Sequence, residues 1–375
     1  MEKELLKDRA WIEVNLNNLE HNIKEIKKVI PLKTKIMAVV KANAYGHGII
    51  EISKKLQDIG IQDFAVATLE EALLLRRNMI KGNILILGFT SINNLHYVIE
   101  NDLIQTVVDE DYAKKLLELH FDKKIKVHVK VNTGMNRIGI SYKNIDVIKK
   151  LYYSSNVDVL GVFSHLCVSD SKKKDDILFT KEQISRFISL RKSLEDANIL
   201  NLKYHLQSSY GIVNYSELEF DYVRPGIIMY GVNSEEKTYT KIKLDLKPLL
   251  SLKARITSVK EIDVNDSVGY GRTYVALKKE RIATVSIGYA DGYPRNLSGK
   301  GVKVIVNGCY VEVIGRICMD QLVIKVNDID VKEGDVVTLI GDTSEILATR
   351  ISKYADTISN ELLSRLGERL NRVVI

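Results

Sequence analysis

The chain has 375 residues and a mass of 42.5 kDa, with 45% hydrophobic and 27% charged side chains, which excludes disorder as its main state and leaves room for a barrel-sized domain beside a smaller one. Its 55 basic and 48 acidic side chains give a formal charge of +7, but the lysines are scattered along helix faces without interleaved aromatic residues, so no nucleic-acid partner is expected. Cys167, Cys309 and Cys318 have neither metal-ligand spacing nor the density of a disulfide scaffold, so a reducing compartment and no metal are expected.

The stretch Met1–Ala10 is charged and lacks the apolar core of a signal peptide. No run approaches the ~20 apolar residues of a membrane helix, and a cytoplasmic chain without a membrane segment is expected. Trp11–Val14 reads as a strand, followed by a helix over Leu16–Ile30. From Ile36 to about Gly231, short apolar runs alternate with segments of helical period. The runs predict strands at Ile36–Val40, Phe64–Ala67, Ile84–Gly88, Thr106–Asp109, Lys126–Val131, Leu160–His165, Tyr204–Gln207 and Ile227–Tyr230. Helices such as Ile49–Gly60 and Leu69–Ile80 lie between them, the second followed by Gly82 as a stop. Ser171–Asp176 reads as a solvated loop. This alternation predicts an α/β fold, a TIM-like (β/α)8 barrel with its site at the C-terminal ends of the strands.

After about Leu244 the texture changes to period-two alternation over Leu250–Val259. Further strands are predicted at Arg281–Ile287, Val302–Val306, Tyr310–Val313, Leu322–Val326 and Val336–Ile340. The expected division is a barrel over 12–244 and a mostly β C-terminal domain over 245–375, with an N-terminal strand over 10–15 joining the second domain.

Lys41 closes the run Ile36–Val40 and opens the loop Lys41-Ala42-Asn43-Ala44-Tyr45-Gly46-His47-Gly48. An apolar run without alternation reads as a strand buried on both faces, so the amine emerges at its C-terminal end beside glycines. Desolvation there lowers its pKa from about 10.4 and leaves it nucleophilic, able to form a Schiff base with an aldehyde. A lone lysine at a strand end is ordinarily a solvated terminator, so the reading rests on its company. Other strand ends carry Arg137 in Thr133-Gly134-Met135-Asn136-Arg137, His165, Ser208, Ser209, and Arg224 with Gly226. Singly, His165 reads as a core histidine, Arg137 as a surface ion pair and Ser209 as a helix cap. Together they suit an anionic, carbonyl-bearing cofactor with a phosphate tail.

The segment Val39-Val40-Lys41-Ala42-Asn43-Ala44-Tyr45-Gly46-His47-Gly48, with Val268-Gly269-Tyr270-Gly271-Arg272-Thr273-Tyr274, Ile287-Gly288-Tyr289-Ala290-Asp291-Gly292 and Gly315-Arg316-Ile317-Cys318-Met319-Asp320-Gln321, resembles the pyridoxal-phosphate-dependent alanine racemases. The resemblance runs from about Trp11 to the C-terminus. It implies pyridoxal 5'-phosphate as cofactor and a homodimer in which the partner's second domain completes each site. It makes Lys41 the Schiff-base lysine and one catalytic base, with Tyr270 the other base on the opposite face. It assigns phosphate contacts to Tyr45, Ser209 and the backbone of Gly226 and Ile227. It sets Arg224 at the pyridine nitrogen, Arg137 at the phenolic oxygen, and His165 in a hydrogen-bond chain beside Tyr270. From the opposing subunit, Tyr289 shapes the entrance, while Cys318, Met319 and Asp320 meet the substrate. Lys130 aligns with a lysine that is carbamylated in some family members.

These roles agree with the chemistry. Racemisation removes a Cα proton from one face and returns one to the other, with the cofactor as electron sink. A tyrosine acts as base only if positive charge lowers its pKa from ~10, which arginines in the site supply. A guanidinium at the pyridine nitrogen stays protonated and gives that nitrogen no full proton, which disfavours decarboxylation and transamination.

The sequence departs from the family pattern at Thr357-Ile358-Ser359-Asn360-Glu361, where Asn360 takes the place of a tyrosine. The smaller amide opens volume and offers hydrogen bonds to a buried substrate hydroxyl, or keeps one bond to the phosphate. Asn132 and Asn136 also differ from common family residues. With Asp8–Glu13 and Phe64–Glu71, Asn360 makes the chain most similar to the racemase domain of VanT-type serine racemases, which follows an integral membrane part and is linked to vancomycin resistance. That similarity implies interconversion of L- and D-serine and of L- and D-alanine for peptidoglycan precursors, by an excised cytoplasmic portion of a membrane-anchored protein or a soluble relative. The alternatives are a strict alanine racemase, a pyridoxal-phosphate decarboxylase of the same fold, and a non-catalytic cofactor-binding protein. Decarboxylases of this fold generally place an acidic residue where Arg224 stands, and cofactor-carrying barrels usually lack the second domain.

Overall fold

The computed structural model describes residues 6–120 and 122–375, so part of the charged stretch Met1–Ala10 lies outside the described residues. Strand β1 (Ala10–Val14) leads into a helix over Leu16–Val29. Asn15 fixes that helix's start, because its side-chain oxygen accepts the N–H groups of Asn17 and Asn18 at 3.0 and 3.2 Å. The barrel strands are β2 (Lys35–Val39), β3 (Asp63–Val66), β4 (Asn83–Ile86), β5 (Ile104–Val107) and β6 (Ile125–Asn132), then, past the short β7 (Ile140–Ser141), β8 (Val157–Phe163), β9 (Lys203–Ser208) and β10 (Tyr222–Arg224). Their pairings are all parallel, and β5 with β6 and β10 with β2 close the ring. No helix among the described residues is long and apolar enough to cross a membrane.

The predicted barrel strands other than the last coincide with these elements apart from their ends. Asp109, read as the end of a strand, instead caps the helix Glu110–Glu118 by accepting the Tyr112 N–H at 2.7 Å. The eighth strand is a correction: it is Tyr222–Arg224, and Ile227–Tyr230 is a buried 3-10 turn. Pro225 has no N–H to continue the ladder, and a continuous apolar run carries no period that separates a strand from a buried turn. The expected loop Ser171–Asp176 is corrected too, since from Lys174 it is the first turn of a helix reaching Asp196. Asp175 and Asp176 suit that position because a helix N-terminus favours negative charge.

The barrel interior is chemically two-sided. Strands β2 to β5 contribute Met37, Val39, Ala65, Leu85 and Ile104, which cluster with Tyr222. Strands β6, β8, β9 and β10 contribute His128, Lys130, Phe163, His205 and Arg224, all buried. The polar half can remain inside only because its members bond to one another, as described below.

The second domain is built on β11 (Leu250–Ile262), with a small hairpin of β12 (Ser267–Val268) and β13 (Tyr274–Val275). It continues with β14 (Glu280–Val285), β15 (Lys303–Val306), β16 (Cys309–Ile314), β17 (Leu322–Lys325), β18 (Val336–Ile340) and β19 (Asn371–Val374). β11 pairs antiparallel with β18 through Leu252–Arg255 and with β14 through Ile256–Ile262, and the register shift at Ile256/Ser258 hands it from one neighbour to the other. β1 joins this domain against β11, and β19 adds in parallel to β1. The helices Ala348–Tyr354 and Ser359–Ser364, for which the sequence reading has no counterpart, bring the chain back to the barrel mouth, where Leu363 packs on Gly46.

Candidate active site

Past β2, the backbone of Ala42, Asn43, Ala44 and Tyr45 makes a left-handed turn with φ between 52 and 53°. Such a conformation costs an L-residue roughly 1–2 kcal/mol and persists only where the surroundings over-determine it. Here the Glu71 carboxylate accepts the N–H groups of Ala42 and Ala67 at 2.6 and 2.7 Å. Buried His47 stacks on Tyr230 at 4.6 Å, and the Tyr230 hydroxyl donates to the Val39 carbonyl at 2.9 Å. Gly46, at φ +82°, sits so close to the Leu363 carbonyl that a Cβ would approach it to 2.0 Å. The loop thereby fixes the Lys41 side chain in a cavity of about 490 Å³ at the C-terminal ends of the barrel strands. Burial, then the charge of Arg137, lowers the Lys41 pKa from its ordinary value, with Glu71 opposing.

Tyr45, Ser209, Gly226, Ile227 and Asn360 line the same cavity. The Gly226 N–H donates to Ser209 Oγ at 3.0 Å, and a Cβ on Gly226 would lie 2.6 Å from the Tyr45 hydroxyl. Asn360 Oδ1 is buried with no hydrogen-bond partner among the described residues. Burial pushes the Tyr45 phenol up to about 12, so it stays a donor at neutral pH. Two hydroxyls, a glycine backbone and the NH2 group of the Asn360 amide make a cradle whose chemistry fits a phosphate-bearing cofactor, with Oδ1 left as an acceptor for another ligand group.

Across the cavity, Arg224 is fully buried. Its Nη2 donates to the carbonyls of Ser164 and Leu206 at 2.7 and 3.0 Å and approaches His165 Nδ1 at 3.5 Å, while Nη1 reaches His205 Nδ1 at 2.6 Å. Burial lowers its pKa to about 9, which leaves it cationic at neutral pH. Its own burial, then the charge of Arg224, keeps His165 well below its ordinary pKa and therefore neutral. Lys130 donates to the Val131 carbonyl at 3.0 Å and lies over Phe163. Burial, then Arg224 and Arg137, lowers its pKa to about 7. Arg137 enters the cavity from a loop organised by Asn132, whose Oδ1 accepts the N–H groups of Gly134 and Asn136 at 3.0 and 3.1 Å. The departure at Asn132 and Asn136 is thus a local loop anchor, completed by a hydrogen bond from Asn132 Nδ2 to Asn136 Oδ1 at 2.8 Å.

Tyr270, Tyr289, Cys318, Met319 and Asp320 do not line this cavity within one chain. They share a face of the second domain: the Tyr289 and Ala290 N–H groups donate to the carbonyls of Cys318 and Met319, both at 3.0 Å. The turn at Tyr270 rests on Arg316, which would meet a Cβ on Gly271 at 2.8 Å. Tyr270 is 69% exposed, and Met319 and Tyr289 are exposed as well. Asp320 pairs with Arg369 at 2.7 Å. Sequence reasoning missed Glu71 and His205, and also Tyr210 and Ser234, which line the cavity beside Ser209. For His205 a signal existed, an ionisable residue amid the buried run of β9; for the others, only the folded chain supplies proximity.

A half-buried amine at the end of the first barrel strand, an anion cradle in the same cavity and a buried guanidinium define a two-domain barrel able to hold an aldehyde cofactor with a phosphate group. Residues 14–234 match the family model "Alanine racemase, N-terminal domain", and residues 249–374 match "Alanine racemase, C-terminal domain". The chain belongs to the alanine racemase family, whose cofactor is pyridoxal 5'-phosphate. It is 43% identical over 368 residues to an amino-acid racemase of Enterococcus faecalis, covering 97% of this chain and 51% of that protein. The chain thus spans about half the length of that relative. It is 42% identical over 371 residues to an alanine racemase of Clostridium perfringens, covering 97% of this chain and 95% of that one. Among solved structures, the alanine racemase of Clostridium difficile 630 superposes with a TM-score of 0.92 at 35% identity, over 98% and 96% of the two chains. The alanine racemase of Bacillus anthracis with bound L-Ala-P gives 0.89 at 33% identity, over 98% and 95%. The TIM-like (β/α)8 barrel followed by a mostly β domain is the architecture of these structures.

Proposed function

We propose that this chain is a racemase that interconverts the L and D forms of serine and of alanine, with Lys41 and Tyr270 as its two bases. The observation that carries the reading is the contrast between these residues: Lys41 is held inside the cavity, whereas Tyr270 stands 69% exposed on a face shared with Tyr289 and Met319. A homodimer that seats this face in the partner's barrel mouth gives each cavity a second base.

When bound, pyridoxal phosphate supplies the electron sink that makes a Cα proton removable. Tyr45, Ser209, Gly226, Ile227 and Asn360 hold its phosphate end. Arg224 would serve the ring nitrogen as a hydrogen-bond donor that keeps its own proton, and Arg137 would serve the phenolic oxygen. Lys41, its charged form disfavoured by burial, moves the proton on one face of the substrate and Tyr270 moves it on the other. His165, held neutral beside Arg224, carries one ring N–H with which to support the Tyr270 oxygen. Lys130, whose ammonium pKa is lowered to about 7, has enough neutral amine at neutral pH to take up carbon dioxide reversibly as a carbamate facing Arg137, with release of a proton.

Asn360 supports the serine arm, because its buried and unpartnered Oδ1 is available to a substrate hydroxyl. On the same reading the products enter peptidoglycan precursors, with vancomycin resistance as the setting and a cytoplasmic unit of a membrane-anchored protein, or a soluble relative, as the context. The test is chiral product analysis after incubating the purified protein with pyridoxal phosphate and L-serine or L-alanine. Both D forms are expected. D-alanine alone would make the chain a strict alanine racemase, released carbon dioxide a decarboxylase, and a yellow but inert protein a cofactor carrier.

A further inference from the structure

At the opposite end of the barrel from Lys41, the N-terminal ends of the strands surround a second cavity of about 380 Å³. Asp63, the first residue of β3, lines it and is only 5% exposed. Its Oδ1 accepts the Asn83 amide at 2.8 Å and the Tyr222 hydroxyl at 3.3 Å. Among the described residues, Oδ2 receives no donor and no cationic side chain pairs with this carboxylate. Oδ2 therefore keeps its acceptor capacity free toward the cavity.

His128 lines the same cavity, and its proton can be placed by elimination. The Arg224 guanidinium only donates, so His205 Nδ1 is its acceptor and the His205 proton sits on Nε2. That N–H lies 2.8 Å from His128 Nδ1, which must then accept, leaving the His128 proton on Nε2. Burial holds both imidazoles neutral, which keeps this order intact. His128 Nε2 has no protein partner among the described residues, and the little surface His128 exposes lies on this cavity. One wall thus offers a bare carboxylate oxygen and another an N–H donor.

We propose that this cavity binds a small zwitterion of the amino-acid class, its ammonium on Asp63 and its carboxylate on the His128 N–H, at a site separate from that of Lys41. The probe is N,N-dimethylglycine, whose tertiary ammonium keeps one N–H but cannot condense with an aldehyde, so it is blind to chemistry at Lys41. Calorimetric titration of the holoprotein is expected to show saturable binding, weakened about tenfold or more in Asp63→Asn, with the visible absorbance of the cofactor unchanged. Asparagine keeps an acceptor for Asn83 and Tyr222, so the wall retains its packing. In parallel, the imidazole N–H resonance of His128 should move on titration of the wild-type protein, and this decides the matter if Asp63→Asn does not fold. Absence of saturable binding, or equal binding by Asp63→Asn with an unmoved His128 resonance, would overturn the proposal and leave Asp63, Asn83 and Tyr222 as a structural plug of the barrel end.

Discussion

Tyr45 and Gly226 interlock across the cavity: a Cβ built on Gly226 lies 2.6 Å from the Tyr45 hydroxyl. The cradle therefore depends on glycine at 226, because any side chain there would collide with the phenol. Gly226→Ala should displace the Tyr45 ring and weaken cofactor binding by about tenfold or more, or roughly 1.4 kcal/mol. Titration of the apoprotein with pyridoxal phosphate, followed by absorbance, measures this. Unchanged affinity would show that the cofactor's phosphate is held elsewhere.

Tyr270→Phe removes the phenol from an exposed surface position and should leave thermal unfolding within a few degrees of wild type. Its effect belongs to turnover. Loss of a positioned acid or base typically costs 10²–10⁴-fold, and solvent exchange at Cα should suffer far more for one enantiomer than for the other. Equal losses in both directions would remove the two-base assignment. Mixing Tyr270→Phe with Lys41→Ala chains should restore some activity if the sites are shared across a dimer.

Asn360→Tyr fills the space beside the cradle and removes the unpartnered amide oxygen. A hydrogen bond to the serine hydroxyl is worth about 1 kcal/mol net, a factor of roughly five in relative kcat/KM. The serine-to-alanine ratio should fall by about that much. An unchanged ratio would assign Asn360 to phosphate binding alone.

Lys130 makes stability depend on pH with a definite sign. Its folded pKa of about 7 lies below its ordinary 10.5, so between those values the unfolded chain binds a proton that the native chain does not. Stability from this group rises with pH across that window and falls as pH drops toward 7. Urea unfolding at pH 7 and pH 9 should show a wild-type gain exceeding that of Lys130→Met by roughly 1–2 kcal/mol. Matching pH dependence in the two proteins would mean that Lys130 does not titrate there, as expected of a stable carbamate.

Much of this architecture was legible in the chain. The apolar run ending at Lys41 marked the first barrel strand, because a strand covered on both faces has no polar alternation. The two-residue period after Leu250 separated the β domain from the barrel. The eighth strand was misplaced because Ile227–Tyr230 is apolar throughout and the true strand, Tyr222–Arg224, is only three residues long. The C-terminal helices escaped notice because each is under eight residues, too short for a clear helical period.

By itself the sequence determined which groups exist and on which kind of element each one sits: the amine after a buried strand, the glycine after Pro225, the asparagine in place of a ring. Only the tertiary structure decided which of them meet. Closure of the ring by β5 against β6 and β10 against β2 carries Lys41, Arg137, Arg224 and Ser209 into one cavity, and the helix Ser359–Ser364 returns Asn360 to it from the far end of the chain. The same folding leaves Tyr270 outside, on the second domain. Local propensity acts over a few residues, whereas these contacts span up to hundreds, and their geometry is set by packing and by the partners that buried polar groups require.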